Sequence, residues 1–158
     1  MSNENELNDA SADREIVSKR IFNFPRLFVF KAWEEPELLV NWWGPNGFTN
    51  TFHEFDFRET GNWNFTMHGP DGANYHNKSS FTKIIKPELI IFEHLMPMHK
   101  FQVRASFEDL GNKTRLIFRM LFETADECER VKIYVVDANE QNFDRLETVL
   151  YKMGETVK

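Results

Sequence analysis

A single cysteine, Cys128, stands in a chain of 158 residues, so no internal disulfide can form. With no nucleophile signature around it, Cys128 reads as a small core residue on a helix face. No stretch approaches the 18 or so apolar residues that mark a membrane span. The first 15 residues are polar and acidic, the opposite of an export signal. The glycosylation-type triplets at Asn64, Asn77 and Asn112 are then chance matches. A basic excess is also missing. The formal charge is −6, and residues 1–13 carry Glu4, Glu6, Asp9 and Asp13 with no Lys or Arg, which leaves −2 for the rest. A near-neutral body argues against nucleic acid as a partner and against a polybasic membrane patch. The expectation is a soluble cytoplasmic protein with no membrane span.

Catalytic signatures are absent as well. The five histidines are His53, His68, His76, His94 and His99. No two have the i, i+4 spacing of a zinc helix and none adjoins the cysteine, so no metal is expected. There is no serine-nucleophile motif and no phosphate-cradling glycine loop. No cofactor is expected. Glu93-His94 is not an acid–base pair, because neighbours on a strand point to opposite faces. Glu54 and Asp56 share a strand face beside Arg58, and a solvated charge cluster is the expectation there.

What is present is aromatic. Sixteen residues are phenylalanine, and each buried ring removes roughly 150–250 Å² from water. The other marked feature is Thr124 to Met153, thirty positions with neither glycine nor proline, followed by Gly154. Cys128, Val131, Val135, Ala138, Leu146, Val149 and Met153 recur at steps of three and four, the mark of one helix face. Thr124 and Glu127 form a capping-box pattern. Acidic residues crowd the start, where the helix dipole is positive. At 1.5 Å per residue this helix is roughly 45 Å long, enough to lie across a small sheet.

Before it, the chain reads in order. Residues 1–13 are expected to be a disordered acidic tail, and 14–158 a single domain. Glu15 to Asn23 alternates as a first strand, with Ile16, Ser18, Arg20 and Phe22 on one side. Pro25 and Pro36 each fit the first helical position of a short helix, and Gly44-Pro45 ends the second. From Phe48 the period is two, through six strands broken at Glu59-Thr60-Gly61, Gly69-Pro70-Asp71-Gly72, Pro87-Glu88, Met96-Pro97-Met98 and Leu110-Gly111-Asn112-Lys113. Thr51, His53, Phe55 and Phe57 fall on one face, as do Trp63, Phe65 and Met67. Short connections imply an antiparallel meander. The fold class is α+β: one curved antiparallel sheet of about seven strands with the long helix on its concave face.

The run Pro25-Arg26-Leu27-Phe28-Val29-Phe30-Lys31-Ala32-Trp33, then Pro36-Glu37-Leu38-Leu39 and Trp42-Trp43-Gly44-Pro45, resembles the Aha1-like branch of the START/Bet v 1-like (SRPBCC) superfamily. The branch is named for the activator of Hsp90 ATPase. Asp56-Phe57-Arg58, Gly61 with Trp63, His68-Gly69-Pro70-Asp71-Gly72, Lys113-Thr114-Arg115-Leu116 and Phe143-Asp144-Arg145-Leu146 extend the likeness over about residues 14–153. The resemblance implies a helix-grip fold with a cavity between sheet and C-terminal helix. It also implies a hydrophobic ligand of the lipid, sterol, polyketide or flavonoid kind. One departure is local: many relatives carry Pro-Gly-Gly where this chain has Glu59-Thr60-Gly61, a turn expected near the cavity mouth.

Cavities of this kind are mainly apolar with a few placed polar groups. The candidate ligand-binding set is Trp42, His53, Phe55, Phe57, Trp63, Phe65 and Met67, with Tyr75, Phe81, Phe118, Ala138, Asn142 and Leu146. Most of these rings must also serve as core. His53, Tyr75 and Asn142 are the candidate polar anchors, with a surface or satisfied histidine the competing reading for His53. Asn142 interrupts the helix's inward stripe, so either the sheet satisfies it or a ligand does. Trp42 and Trp43 could gate an entrance. The expected function is binding of a small hydrophobic molecule. A cyclase/aromatase- or hydrolase-like enzyme using the same cavity is the alternative, ranked lower because no acid–base constellation stands out. Hsp90 is not expected as a partner, since its activator carries a further N-terminal domain for which this chain has no room. A homodimer stays open.

Overall fold

The computed structural model describes residues 12–98 and 100–157. The expected acidic tail therefore lies outside the described residues, apart from Ala12 and Asp13, which open a 3₁₀ turn (Ala12–Arg14). His99 lies outside them too.

Seven strands follow the sequence pattern: β1 (Glu15–Phe22), β2 (Thr49–Phe55), β3 (Asn62–His68), β4 (Asn74–Ile85), β5 (Leu89–Met96), β6 (Phe101–Asp109) and β7 (Thr114–Phe122). They form one sheet in the order β1-β7-β6-β5-β4-β3-β2, with every pair antiparallel. β1 and β2 are thus the two edges, although they are neighbours in sequence. Two short helices, α1 (Arg26–Glu34) and α2 (Pro36–Leu39), carry the chain from one edge to the other. Pro36 starts α2 at its first turn as expected, whereas Pro25 sits one place earlier than expected, as the extended N-cap of α1 (φ −67, ψ 156). The α1–α2 unit fills one end of the sheet with rings. Trp33 meets Trp42 at 5.0 Å and Phe107 at 5.7 Å, and Phe30 meets Phe107 at 5.3 Å, mostly edge to face, the arrangement aromatic quadrupoles favour.

The long helix, α3, spans Ala125–Val157. Thr124 caps it, its Oγ1 accepting the Glu127 N–H at 3.1 Å. Gly154 does not stop it: the helix continues for one more turn. Arg20 of β1 reaches the middle of α3, donating to Asp144 at 2.7 Å and Glu140 at 2.9 Å. Cys128 is buried and free, and burial raises its thiol pKa, as a core role requires.

Candidate functional site: a cavity under the first half of the long helix

The inward face of α3 changes character near Asn139. Beyond it, Phe143, Leu146, Leu150 and Met153 are buried against the sheet and α1. Before it, Cys128 is buried, and the inward positions Val131, Val135 and Ala138 are half-buried. Short side chains do not reach as far as leucine or phenylalanine, and a gap is left between this part of α3 and the sheet. On its other side Ile133 and Tyr134 are 76% and 75% exposed.

The gap is a cavity of about 320 Å³, open along one side. Its floor is Met67 of β3, Phe101 and Val103 of β6, and Phe118 and Met120 of β7. The roof is Val135, Ala138, Asn139 and Asn142 of α3. The side wall is the loop after α2, at Trp43, Gly44 and Pro45. Among the described residues no titratable side chain lines it.

α3 holds that wall by its backbone. Asn142 Oδ1 accepts the Gly44 N–H at 3.2 Å and Gln141 Oε1 accepts the Asn46 N–H at 3.0 Å. Arg145 does more. Its Nη1 donates to the carbonyls of Gly44 (2.7 Å), Pro45 (2.9 Å) and Trp43 (3.3 Å), and its Nη2 to those of Phe48 (2.9 Å) and Asn41 (3.1 Å). Arg145 makes no ion pair among the described residues. Burial lowers its pKa, yet a guanidinium stays charged, and five carbonyl dipoles answer that charge. Gly44 is required here by its φ of +99°; a Cβ would also meet the flexible end of Met67, at 2.7 Å from Cε.

Among the described residues, two amides are the hydrogen-bonding side chains of the lining, besides the Trp43 indole and the thioethers of Met67 and Met120. Both are 7% exposed. Asn139 Nδ2 donates to Ser18 Oγ at 3.2 Å and faces Met120 Sδ at 3.6 Å. Its Oδ1 has no partner among the described residues. For Asn142 the reverse holds: Oδ1 is taken by Gly44, and Nδ2 has no partner among the described residues. Neither atom is sealed away from open space.

Of the residues expected to bind ligand, Met67, Phe118, Ala138 and Asn142 line this cavity. Others belong to the packed core. Trp63 stacks on Phe65 at 4.6 Å and on Phe81 at 6.0 Å, Phe55 and Phe57 press against Phe81, and Leu146 is fully buried. Trp42 is sealed, its indole N–H given to the Ala32 carbonyl at 3.0 Å. Trp43 alone of the tryptophan pair meets the cavity.

His53 does not face the interior. A bulge between Phe52 and Glu54 inserts an extra residue into β2, so Phe52 and Phe55 both turn inward. His53 is left exposed on the outer face, with Nε2 2.8 Å from Thr66 Oγ1 and its ring 5.6 Å from that of His76. Tyr75 is on the concave side but 41% exposed, beside Phe48 and outside the lining. The Glu59-Thr60-Gly61 turn is not at the mouth either. It precedes β3 at Asn62, five residues and roughly 16 Å from Met67. Glu54 and Asp56 are engaged separately, by Asn64 at 2.9 Å and Arg58 at 2.8 Å. The candidate ligand-binding set lacked Gly44, Pro45, Phe101, Val103, Met120, Val135 and Asn139 of the lining, and Arg145 as the clamp. Asn139 lies three positions before Asn142, a spacing that already put it on the same face.

A larger surface groove of about 520 Å³ lies between α2 and the last turns of α3. Of its polar side chains, Asn41 donates to the Glu37 carbonyl, Thr148 to the Asp144 carbonyl and Arg145 to the loop carbonyls, and Lys152 completes the set.

Comparison with known proteins agrees with this architecture. The model of the family described as activator of Hsp90 ATPase homolog 1-like protein matches residues 23–151. A solution structure of a protein from Arthrobacter aurescens superposes with a TM-score of 0.83 at 22% identity, covering 90% of this chain and 88% of that one. A crystal structure from Nitrosomonas europaea gives 0.81 at 18% identity, covering 90% and 97%. A third, titled as an AHSA1 protein from Silicibacter pomeroyi, gives 0.72 at 19% identity, covering 88% and 99%. At these identities the likeness concerns the fold. No curated protein matches the chain. No helix among the described residues is long and apolar enough to cross a membrane.

Proposed function

Since the chain belongs to the activator of Hsp90 ATPase homolog 1-like family, with its helix-grip architecture, we propose that it binds a small hydrophobic molecule between the first half of α3 and the sheet. The observation that carries this reading is the cavity of about 320 Å³ itself. It is apolar on its floor, carries two half-satisfied amides on its roof, and has a side wall fixed in place by Arg145. A core that merely packed poorly would not need a five-carbonyl clamp on the loop beside it. The volume falls in the range of small-molecule sites, and an apolar ligand of that size would recover contacts that the short side chains of α3 leave unmade.

The test is an amide NMR titration of labelled protein with a mixed set of ring-bearing and alkyl compounds. Shifts at Trp43, Phe101 and the 135–142 segment of α3 are expected. A silent spectrum, or shifts confined to the outer sheet face around His53, would overturn the reading.

A further inference from the structure

We infer that the ligand is electrically neutral and carries a hydroxyl group, alcohol or phenol, seated between Asn139 and Asn142. This deepens the binding reading above and rests on it.

Three observations support it. First, among the described residues the lining holds no Asp, Glu, Lys, Arg or His. A carboxylate or an ammonium moved into so apolar a site would lose its hydration with no counter-charge to replace it.

Second, the orientation of each amide is set by its partner. The group facing Asn142 Oδ1 is a backbone N–H, that of Gly44. A backbone N–H can only donate, so the oxygen of Asn142 must face it and Nδ2 is left as a donor. The groups facing Asn139 Nδ2 are Ser18 Oγ and the thioether of Met120. A thioether sulfur can only accept, so the nitrogen faces it and Oδ1 is left as an acceptor.

Third, residues three apart on a helix are neighbours on one face, with Cβ atoms roughly 5–6 Å apart. One small group can therefore meet both amides. It must accept from Asn142 and donate to Asn139. A hydroxyl does both through one oxygen. An ether or ketone can only accept. A carboxylate also only accepts, and its charge would oppose Asn139 Oδ1. The ring-lined floor, with Phe101 and Phe118, suits an aromatic or polycyclic body on that hydroxyl.

The experiment uses the intact protein and one scaffold with four head groups: naphthalene, 2-methoxynaphthalene, 2-naphthol and 2-naphthoate at pH 7, with affinities read by NMR titration. The expected order places 2-naphthol first. It should bind roughly tenfold tighter than 2-methoxynaphthalene, the gain of about one or two neutral hydrogen bonds, and tighter still than 2-naphthoate. In Asn139→Leu the ratio of 2-naphthol to 2-methoxynaphthalene affinity should shrink severalfold. Thermal melting checks that this variant folds, and the four-compound series on the unaltered protein stands without it. Equal binding of all four compounds, or 2-naphthoate binding tightest, overturns the hydroxyl assignment and leaves the cavity reading intact. Failure of all four to bind, naphthalene included, overturns both.

Discussion

From Phe143 to Met153 the long helix presses large side chains into the sheet and α1; from Val131 to Asn142 it holds two valines, an alanine and two amides above it. Both halves lie over one continuous sheet and share one backbone. The two halves differ in side-chain reach, and the second half packs against α1 as well. The second half supplies core, anchored by Arg20 to Asp144 and Glu140, and acts as a fixed post. The first half is held by the post behind it and, in front of it, by the buried Cys128 and by contact with the 3₁₀ turn at Ala12–Arg14. A rigid helix can thus span a void that a loop would collapse into. A cavity in such a fold needs no special element, only a change in residue size along one helix face.

Substitutions in the two halves should therefore behave oppositely. The largest effect is expected at the packed end. Leu146→Ala should cost about 3 kcal/mol in a urea unfolding titration, because a fully buried leucine leaves a hole its neighbours cannot fill. Arg145→Met comes next, at about 2 kcal/mol. It removes every donor that Arg145 gives to the carbonyls of residues 41, 43, 44, 45 and 48. Hydrogen exchange at the Gly44 and Asn46 amides should speed up while the strands stay protected; unchanged exchange there would show that the loop does not depend on the clamp.

A matched pair sharpens the contrast. Leu150→Phe adds volume where none is free and should cost about 1–3 kcal/mol. Ala138→Leu adds volume over the cavity and should leave stability within about 1 kcal/mol of the parent, or raise it, while abolishing binding of ring-bearing probes. Equal costs for the two would mean that the first half of α3 is as tightly packed as the second.

The smallest effect is expected at the turn before β3. Thr60 adopts φ 69°, where a β-branched residue is strained by roughly 1–2 kcal/mol and glycine is not. Thr60→Gly should stabilise the protein by about 0.5–1 kcal/mol, the strain relief less the added freedom of the unfolded chain. Because the turn lies at the packed end, probe binding should not change. A lower melting temperature would show that Thr60 is held by more than its backbone.

Much of this was legible in the residues. The period of two from Phe48 to Phe122, the breaks between strands and the unbroken Thr124–Met153 stretch led to the sheet and the helix, since apolar periodicity is a local property. Asn142 was legible as an interruption of an apolar stripe. His53 was misplaced because a bulge is set by how two strands meet, and the alternation of one strand carries no sign of it. Trp63, Phe65 and Phe81 could not be told from lining residues, because the same rings serve a core and a cavity wall equally well. Arg145 was visible only as part of a family-like run. Its role depends on carbonyls about a hundred residues away along the chain.

Spacing and local chemistry were enough to set the elements and their order, and the side most residues face, with His53 the exception beyond the bulge. It was legible, too, that the first half of the helix face is built of small residues. That this smallness becomes a cavity depends on the assembled fold, because a gap exists only between two surfaces whose separation is fixed elsewhere, here by Phe143, Leu146 and Leu150. Which half of each asparagine amide stays free depends on the fold too, because it follows from whether the neighbour across the fold donates or accepts.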